Sequence, residues 1–265
     1  MLKKLYKHEF YSLFRSMIAV YIAIIGLALL GKISFLISGD GIFASLLKTS
    51  STVLYIIGVI AMFVVGFVIV IVRFYKNLLS KEGYLTFTLP FTASQHLNCK
   101  LICGAAVIAG NFIVLILSLF IFFVGTDGFA TFIDNIREGV HMVTRLYKPW
   151  QIAVVIVEFV AILLVSLVQT LVMPYAAMSV GQRFKSKIGG AVLAYIIMYA
   201  AIETIDSVIM VVLMLLDDLF TETLTNYPYG STVAIFGLCV LYSAVISSVM
   251  YLIARNQLTK HLNLE

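Results

Sequence analysis

The chain has 265 residues, 62% of them hydrophobic and 12% charged, with a formal net charge of +5 and a mean hydropathy of +1.07. Soluble domains lie nearer half apolar and a quarter charged, so a water-soluble globule is excluded and lipid-facing helices account for the excess. The positive charge does not point to nucleic acid, because Lys and Arg gather in short clusters beside apolar runs, the pattern of membrane topology.

In chain order, residues 1–16 come first, with Leu2, Leu5, Tyr6, Phe10, Leu13 and Phe14 at helical spacing and Lys3, Lys4, Lys7 and Arg15 turned away. That pattern predicts an amphipathic helix lying in the membrane interface. Six apolar runs follow, at about 17–37, 52–72, 101–125, 151–178, 191–216 and 233–254. Each is near the ~20 residues a helix needs to cross ~30 Å of hydrocarbon. Barrel strands would be ~10 residues long and alternating, so the fold class is all-α, a single polytopic domain over residues 1–265. Within the first run, Gly26 to Ile33 fits the GxxxxGK part of a phosphate loop. It lacks the Ser or Thr that holds Mg²⁺ and sits in an apolar helix, so it is read as coincidence.

Between the third and fourth runs, Phe129, Phe132, Ile133, Ile136, Val140 and Val143 repeat the helical spacing. They predict a second interfacial helix that covers the ends of the spans. Pro149 suits the first turn of the fourth span, and Trp150 suits the aromatic belt. Small residues at Ala105, Ala106, Ala109 and Gly110, and again at Gly189, Gly190, Ala191 and Ala194, allow close helix packing. The fifth run is longer than the hydrocarbon core, so it must tilt or leave the core near its end.

Orientation follows from the basic residues in alternate loops. Of the eighteen Lys and Arg, thirteen fall on the side of the termini and only Lys32, Lys48, Arg137, Arg145 and Lys148 on the other. Both termini are therefore expected in the cytoplasm. Cys99, Cys103 and Cys239 lack the spacing of a zinc or redox pair and are expected to be packing residues. The four histidines are scattered, so no metal centre is expected.

The loop from Arg73 to Lys100 differs most from its surroundings. Thr92 and Gln95 form a capping box that starts the helix of the third span, and Pro90 ends whatever precedes it. Between them and the second span there is room for a short surface helix at about 80–89. A plain connector does not need Tyr84, Leu85, Phe87 and Leu89, and such apolar groups call for lipid, other spans or a protein partner.

At these residues the sequence resembles the permease subunits of ABC-2-type ABC exporters. Those have six spans, an amphipathic N-terminal helix and a cytoplasmic coupling helix between spans two and three. Their loop carries an acid, a glycine, apolar and threonine positions, a Leu-Pro and a lysine entering the third span. Glu82, Gly83, residues 84–88, Leu89 with Pro90, and Lys100 stand in those places here, although Gly83 follows Glu82 directly, a departure from the pattern. The resemblance implies an exporter subunit of a bacterial cell membrane, working as a dimer with a second permease copy or paralogue. It also implies a separate cytoplasmic ABC ATPase that holds ATP and Mg²⁺, so this chain is not itself expected to be an enzyme or to carry a cofactor. On this likeness Lys81, Glu82, Gly83, Tyr84, Leu85, Phe87 and Pro90 would meet that ATPase, the apolar groups as knobs and Lys81 and Glu82 at the rim.

Three acids fall within spans: Glu158, Glu203 and Asp206. A carboxylate at the bilayer centre costs at least ~2.5 kcal/mol on insertion scales, so it needs a wet cavity, a partner or a proton. They are candidates for a translocation path, or are structural and interfacial. They also support the alternative of an ion-coupled secondary transporter, although no internal repeat or Gly- or Pro-broken span is obvious. A non-transporting membrane scaffold is the third reading.

Overall fold

The fold was obtained as a computed structural model, which describes residues 2–36, 41–80, 82–88, 90–215 and 228–260. Among the described residues the regular structure is entirely helical. The elements are α1 (Leu2–Leu36), α2 (Ile42–Phe74) with a π-helical turn (Tyr75–Leu79), α3 (Glu82–Phe87), α4 (Ala93–Phe123), α5 (Asp127–Leu146), α6 (Pro149–Gly181), α7 (Lys187–Leu215) and α8 (Pro228–Lys260). Six of them are long and apolar enough to cross a membrane, and they match the six apolar runs in order. The chain has the architecture of a multi-pass membrane protein.

Each spanning helix exceeds the run that announced it. The shortest, α7, has 29 residues, or about 43 Å at ~1.5 Å per residue. Helix geometry persists past the hydrocarbon until a specific residue ends it. In α4 that residue is Gly125, whose φ of +86° is the left-handed conformation that closes helices. The start of α4 is set by the capping box. The Thr92 N–H donates to Gln95 Oε1 at 2.9 Å, and the Gln95 N–H donates to Thr92 Oγ1 at 3.3 Å. Pro149 occupies the first turn of α6, where the Lys148 N–H donates to Gln151 Oε1 at 2.9 Å.

The structure bears on four expectations. First, α1 shows no break between an interfacial helix at 1–16 and a span at 17–37. Neither Gly nor Pro falls near residue 16 to interrupt the ladder, and one buried stripe runs through Glu9, Leu13, Met17, Tyr21, Ile24 and Ala28. Second, α5 is the amphipathic helix its spacing announced, but only its first turns meet a span end, with Phe129 against Phe120 of α4, while Phe132, Ile133, Ile136, Val140 and Val143 are exposed. Third, Pro174 lies inside α6, yet it does not break the span. The helix continues through it although the carbonyl one turn earlier loses its N–H partner. Fourth, the short helix expected at 80–89 is the six-residue α3. The question of how the fifth span ends falls in residues 216–227, outside the described residues.

The chain forms two compact units, Met1–Arg73 with Ile102–His141, and Phe74–Leu101 with Met142–Glu265. In the first unit α1, α2 and most of α4 are tied by polar pairs. The Tyr21 hydroxyl donates to Asn111 Oδ1 at 3.0 Å, Tyr55 and Ser118 hydroxyls lie 2.8 Å apart, and Ser34 and Ser51 hydroxyls 2.6 Å apart. Hydrogen bonds of this kind between spans contribute ~0.6 kcal/mol on average. Tyr55 also stacks on Phe122, ring centroids 4.7 Å apart. Phe122 takes the space beside Gly31, where a Cβ would stand 2.1 Å from its ring. Gly31 of the phosphate-loop-like stretch therefore serves helix packing.

In the second unit α6 packs against α7 and α8. Burial on α6 is concentrated in its last turns, at Leu171, Val172, Pro174, Tyr175, Ala176 and Ala177. The turn into α7 is close-packed: a Cβ on Gly181 would stand 2.6 Å from the Ala191 nitrogen, and one on Gly190 would stand 2.6 Å from the Phe184 ring. Ser186 caps α7, accepting the Gly189 N–H on Oγ at 3.3 Å. At the opposite end Tyr229 of α8 meets Trp150 edge-on at 5.5 Å and Tyr147 at 6.4 Å, an aromatic group of the kind that sits at headgroup level.

Candidate functional site

Both groups of residues singled out in the sequence fall within the second unit. The first is the segment after α2. Arg73, the last residue of the first unit, donates from Nε to Glu9 Oε1 at 2.9 Å and also donates to the Ser12 hydroxyl. Phe74, the next residue, is fully buried and stacks on Tyr175 of α6, with centroids 3.9 Å apart and planes 7° from parallel. The helix then widens into the π-helical turn, a feature common at functional sites, and buries Leu78 and Leu79. Its end is closed by the Ser80 carbonyl, which accepts the Gly83 N–H at 2.8 Å.

On α3 the Tyr84 side chain is 68% exposed, in a neighbourhood where Phe74, Leu78 and Leu79 are fully buried. Pro90 is exposed as well. Gly83, expected at the docking face, is buried and turned toward its own chain by the bond to Ser80. Lys81 and Leu89 lie outside the described residues, as do the side chains of Glu82, Leu85 and Phe87. The segment returns through the capping box into the first turns of α4. There His96, Leu97, Cys99 and Lys100 are buried, and Phe91 meets His96 edge-on at 5.7 Å. The Tyr251 hydroxyl of α8 donates to Asn98 Oδ1 at 2.8 Å. The segment is thus fixed to α6 at one end and to α8 at the other. Cys99 and Cys103 are the buried packing residues expected, with the Cys103 Sγ 3.8 Å from the Tyr6 carbonyl oxygen, whereas Cys239, expected to pack as well, is exposed.

The second group is the three acids, one on α6 and two on α7. Glu158 is half-buried; its Oε2 is shielded from solvent with no hydrogen-bond partner among the described residues, and its Oε1 lies 4.0 Å from where a Cβ on Gly237 of α8 would be. Asp206 is half-buried and accepts a hydrogen bond from the Tyr242 hydroxyl of α8. Glu203 is exposed and hydrogen-bonds Tyr199 one turn earlier, which itself stacks on Tyr195 at 6.5 Å. Among the described residues no hydrogen bond joins one of these acids to another, and no three His, Cys, Asp or Glu side chains gather.

Tyr242, Tyr199, Gly237 and Tyr251 are the site residues that the sequence reading missed. Tyr195, Tyr199 and Glu203 recur every four residues, a signal that was present in the sequence. The others come from α8, which brings Gly237 to Glu158 of α6, Tyr242 to Asp206 of α7 and Tyr251 to Asn98 of α4. Along α8, Tyr242 precedes Tyr251 by nine residues, or about 13 Å of helix, so the Asp206 contact lies well inside the span relative to the loop. No protein family, curated protein or solved structure matches the chain.

Proposed function

We propose that this chain is the membrane-spanning subunit of an ATP-driven exporter of the ABC-2 type, driven by a separate ABC ATPase that docks on residues 74–101. The observation that carries the reading is the attachment of this segment. Phe74 stacks on Tyr175, and Asn98 is held by Tyr251, so a push on α3 passes into α6 and α8 rather than into a slack loop. The exposed Tyr84 ring on α3 supplies a knob for such a contact, since aromatic residues dominate small tight interfaces. Glu158 and Asp206 lie on or against the same helices, so the levered helices are also those with polar groups in mid-span. A second permease copy would cover the exposed Glu203 face of α7 and complete the path. The thirteen-to-five split of basic residues supports cytoplasmic termini, and with that orientation α3 would lie on the side of ATP; the resemblance implies a bacterial cell membrane.

The test is copurification of the chain with the ATP-hydrolysing subunit encoded beside it. The proposal expects the complex to survive Pro149→Ala and to be lost when residues 82–88 are scrambled. A complex that survives the scramble would remove α3 from the ATPase contact. One observation favours a second reading, ion-coupled secondary transport. Glu158 Oε2 is shielded within a span without a hydrogen-bond partner among the described residues, and transport that persists without any ATPase but is lost in Glu158→Gln would establish that reading instead.

A further inference from the structure

The end of α4 farthest from residues 74–101 forms an apolar groove with the first turns of α5. Its walls are Ile116, Leu119, Phe120 and Phe123 of α4, with Phe129 and Phe132 of α5. Phe120 and Phe129 meet edge-on at 5.7 Å. The groove encloses about 550 Å³, within the ~300–1,000 Å³ of small-molecule sites. Such sites are mostly apolar but carry a few polar groups that orient the ligand. Every described residue lining this one is apolar or glycine, so its occupant has nothing polar to be oriented by, which describes a hydrocarbon chain.

Two further observations indicate where that chain comes from. On α4 the exposed apolar band of Ile113, Ile116, Leu117 and Phe120 runs into the groove without a polar interruption and shares Ile116 and Phe120 with it. Helix α5 is joined to α4 by residues 124–126 and to α6 by residues 147–148, so about 30 Å of helix is tied at both ends to helices long enough to span. Its exposed apolar residues Phe132, Ile133, Ile136 and Val140 follow helical spacing, while Asp134, Arg137 and Glu138 lie between them. Apolar residues on one face and charges on the other are the marks of a helix lying at the headgroup boundary. The mixed signs give no preference for anionic headgroups.

We infer that the groove between the end of α4 and the start of α5 binds one acyl chain of a bilayer phospholipid. Gly128 lines the groove, and only Thr126 Oγ1 comes within 4.0 Å of the position a Cβ would take there. A large side chain at residue 128 can therefore enter the groove without meeting backbone. The inference depends on the chain being a membrane protein and not on its being an exporter subunit. Loss of ATPase copurification leaves it standing, and a negative lipid result leaves the exporter reading standing.

The experiment uses the full chain purified in mild detergent, with Trp150→Phe removing the only native tryptophan and Phe129→Trp as reporter. Phosphatidylcholine with brominated acyl chains is titrated in. Saturable quenching with about one lipid per chain is expected, lost in Gly128→Phe and kept in Gly128→Ala. Leu119→Phe on the α4 wall is a second plug, used if Gly128→Phe does not yield a monodisperse protein. Quenching that rises linearly without saturation, or that neither plug alters, overturns the inference. So does an unquenched reporter in a chain whose dimer is dissolved by Phe132→Asp, which would make the groove a contact between copies.

Discussion

Replacing Phe74 by Leu tests whether the segment after α2 is fixed to α6. Phe74 is fully buried, Tyr175 is 1% exposed, and their rings lie 3.9 Å apart and nearly parallel. Leucine keeps the site apolar and close to the original volume, a swap that costs under ~1.5 kcal/mol when the surroundings adjust. The ring contact contributes about 0.5–1.5 kcal/mol beyond burial, so the total loss is about 1–3 kcal/mol. At about 2–4 °C per kcal/mol for a chain of this size, the melting temperature should fall by roughly 2–12 °C. Tyr175→Leu should cost a similar amount. The double variant should be less destabilised than the sum of the two, by the 0.5–1.5 kcal/mol that belongs to the pair. If the proposed complex with an ATPase forms, Phe74→Leu should retain ATP hydrolysis but transport less per ATP, because the proposed lever would be loosened and not removed. Strict additivity of the two single variants would refute the stack, and with it the claim that motion of α3 reaches α6 through Phe74.

Three further predictions rest on individual contacts. Gly66→Ala should destabilise by about 1–3 kcal/mol, because its Cβ would stand 2.5 Å from Asn111 Nδ2; Gly26→Ala, with nothing within 4 Å, should be neutral or stabilising by up to ~1 kcal/mol. Thermal unfolding of the two variants side by side would check this. Tyr242→Phe removes only the hydroxyl that Asp206 accepts and should cost about 0.6 kcal/mol, at most ~1.7, on the scale of hydrogen bonds between spans; in the Asp206→Asn background it should cost less. Glu9→Leu leaves Arg73 without its carboxylate at a site where the two side chains are 10% and 25% exposed. The loss should be about 1.5–3 kcal/mol and should change little between low and high salt, since partly buried pairs are poorly screened.

The spans were legible in the sequence because lipid imposes one rule, that a long apolar run must be a helix. The start of α4 was legible for a local reason: the Thr92–Gln95 box is made within four residues, and both of its bonds are present. Pro149 and the amphipathic spacing of α5 were local signals too. The continuity of α1 was not seen, since the lysines near its start suggested a surface helix and nothing in the pattern states where a helix fails to break. The partners of the site were invisible for a different reason. Asp206 meets Tyr242 thirty-six residues later, and Asn98 meets Tyr251 across 153 residues, pairings set by how α6, α7 and α8 pack. The boundary between the two units, between Arg73 and Phe74, also left no mark in composition. It shows only in the contacts of two consecutive residues, one bound to Glu9 and the other stacked on Tyr175.

The most direct test of the account is a photo-crosslinking amino acid placed at Tyr84, with the same group at Ile116 as control, in membranes that hold the chain and its ATPase. The account predicts an adduct with the ATPase subunit from Tyr84 and none from Ile116. Absence of the Tyr84 adduct in a complex that copurifies, or labelling of that position by a membrane-impermeant reagent added outside intact cells, would contradict it.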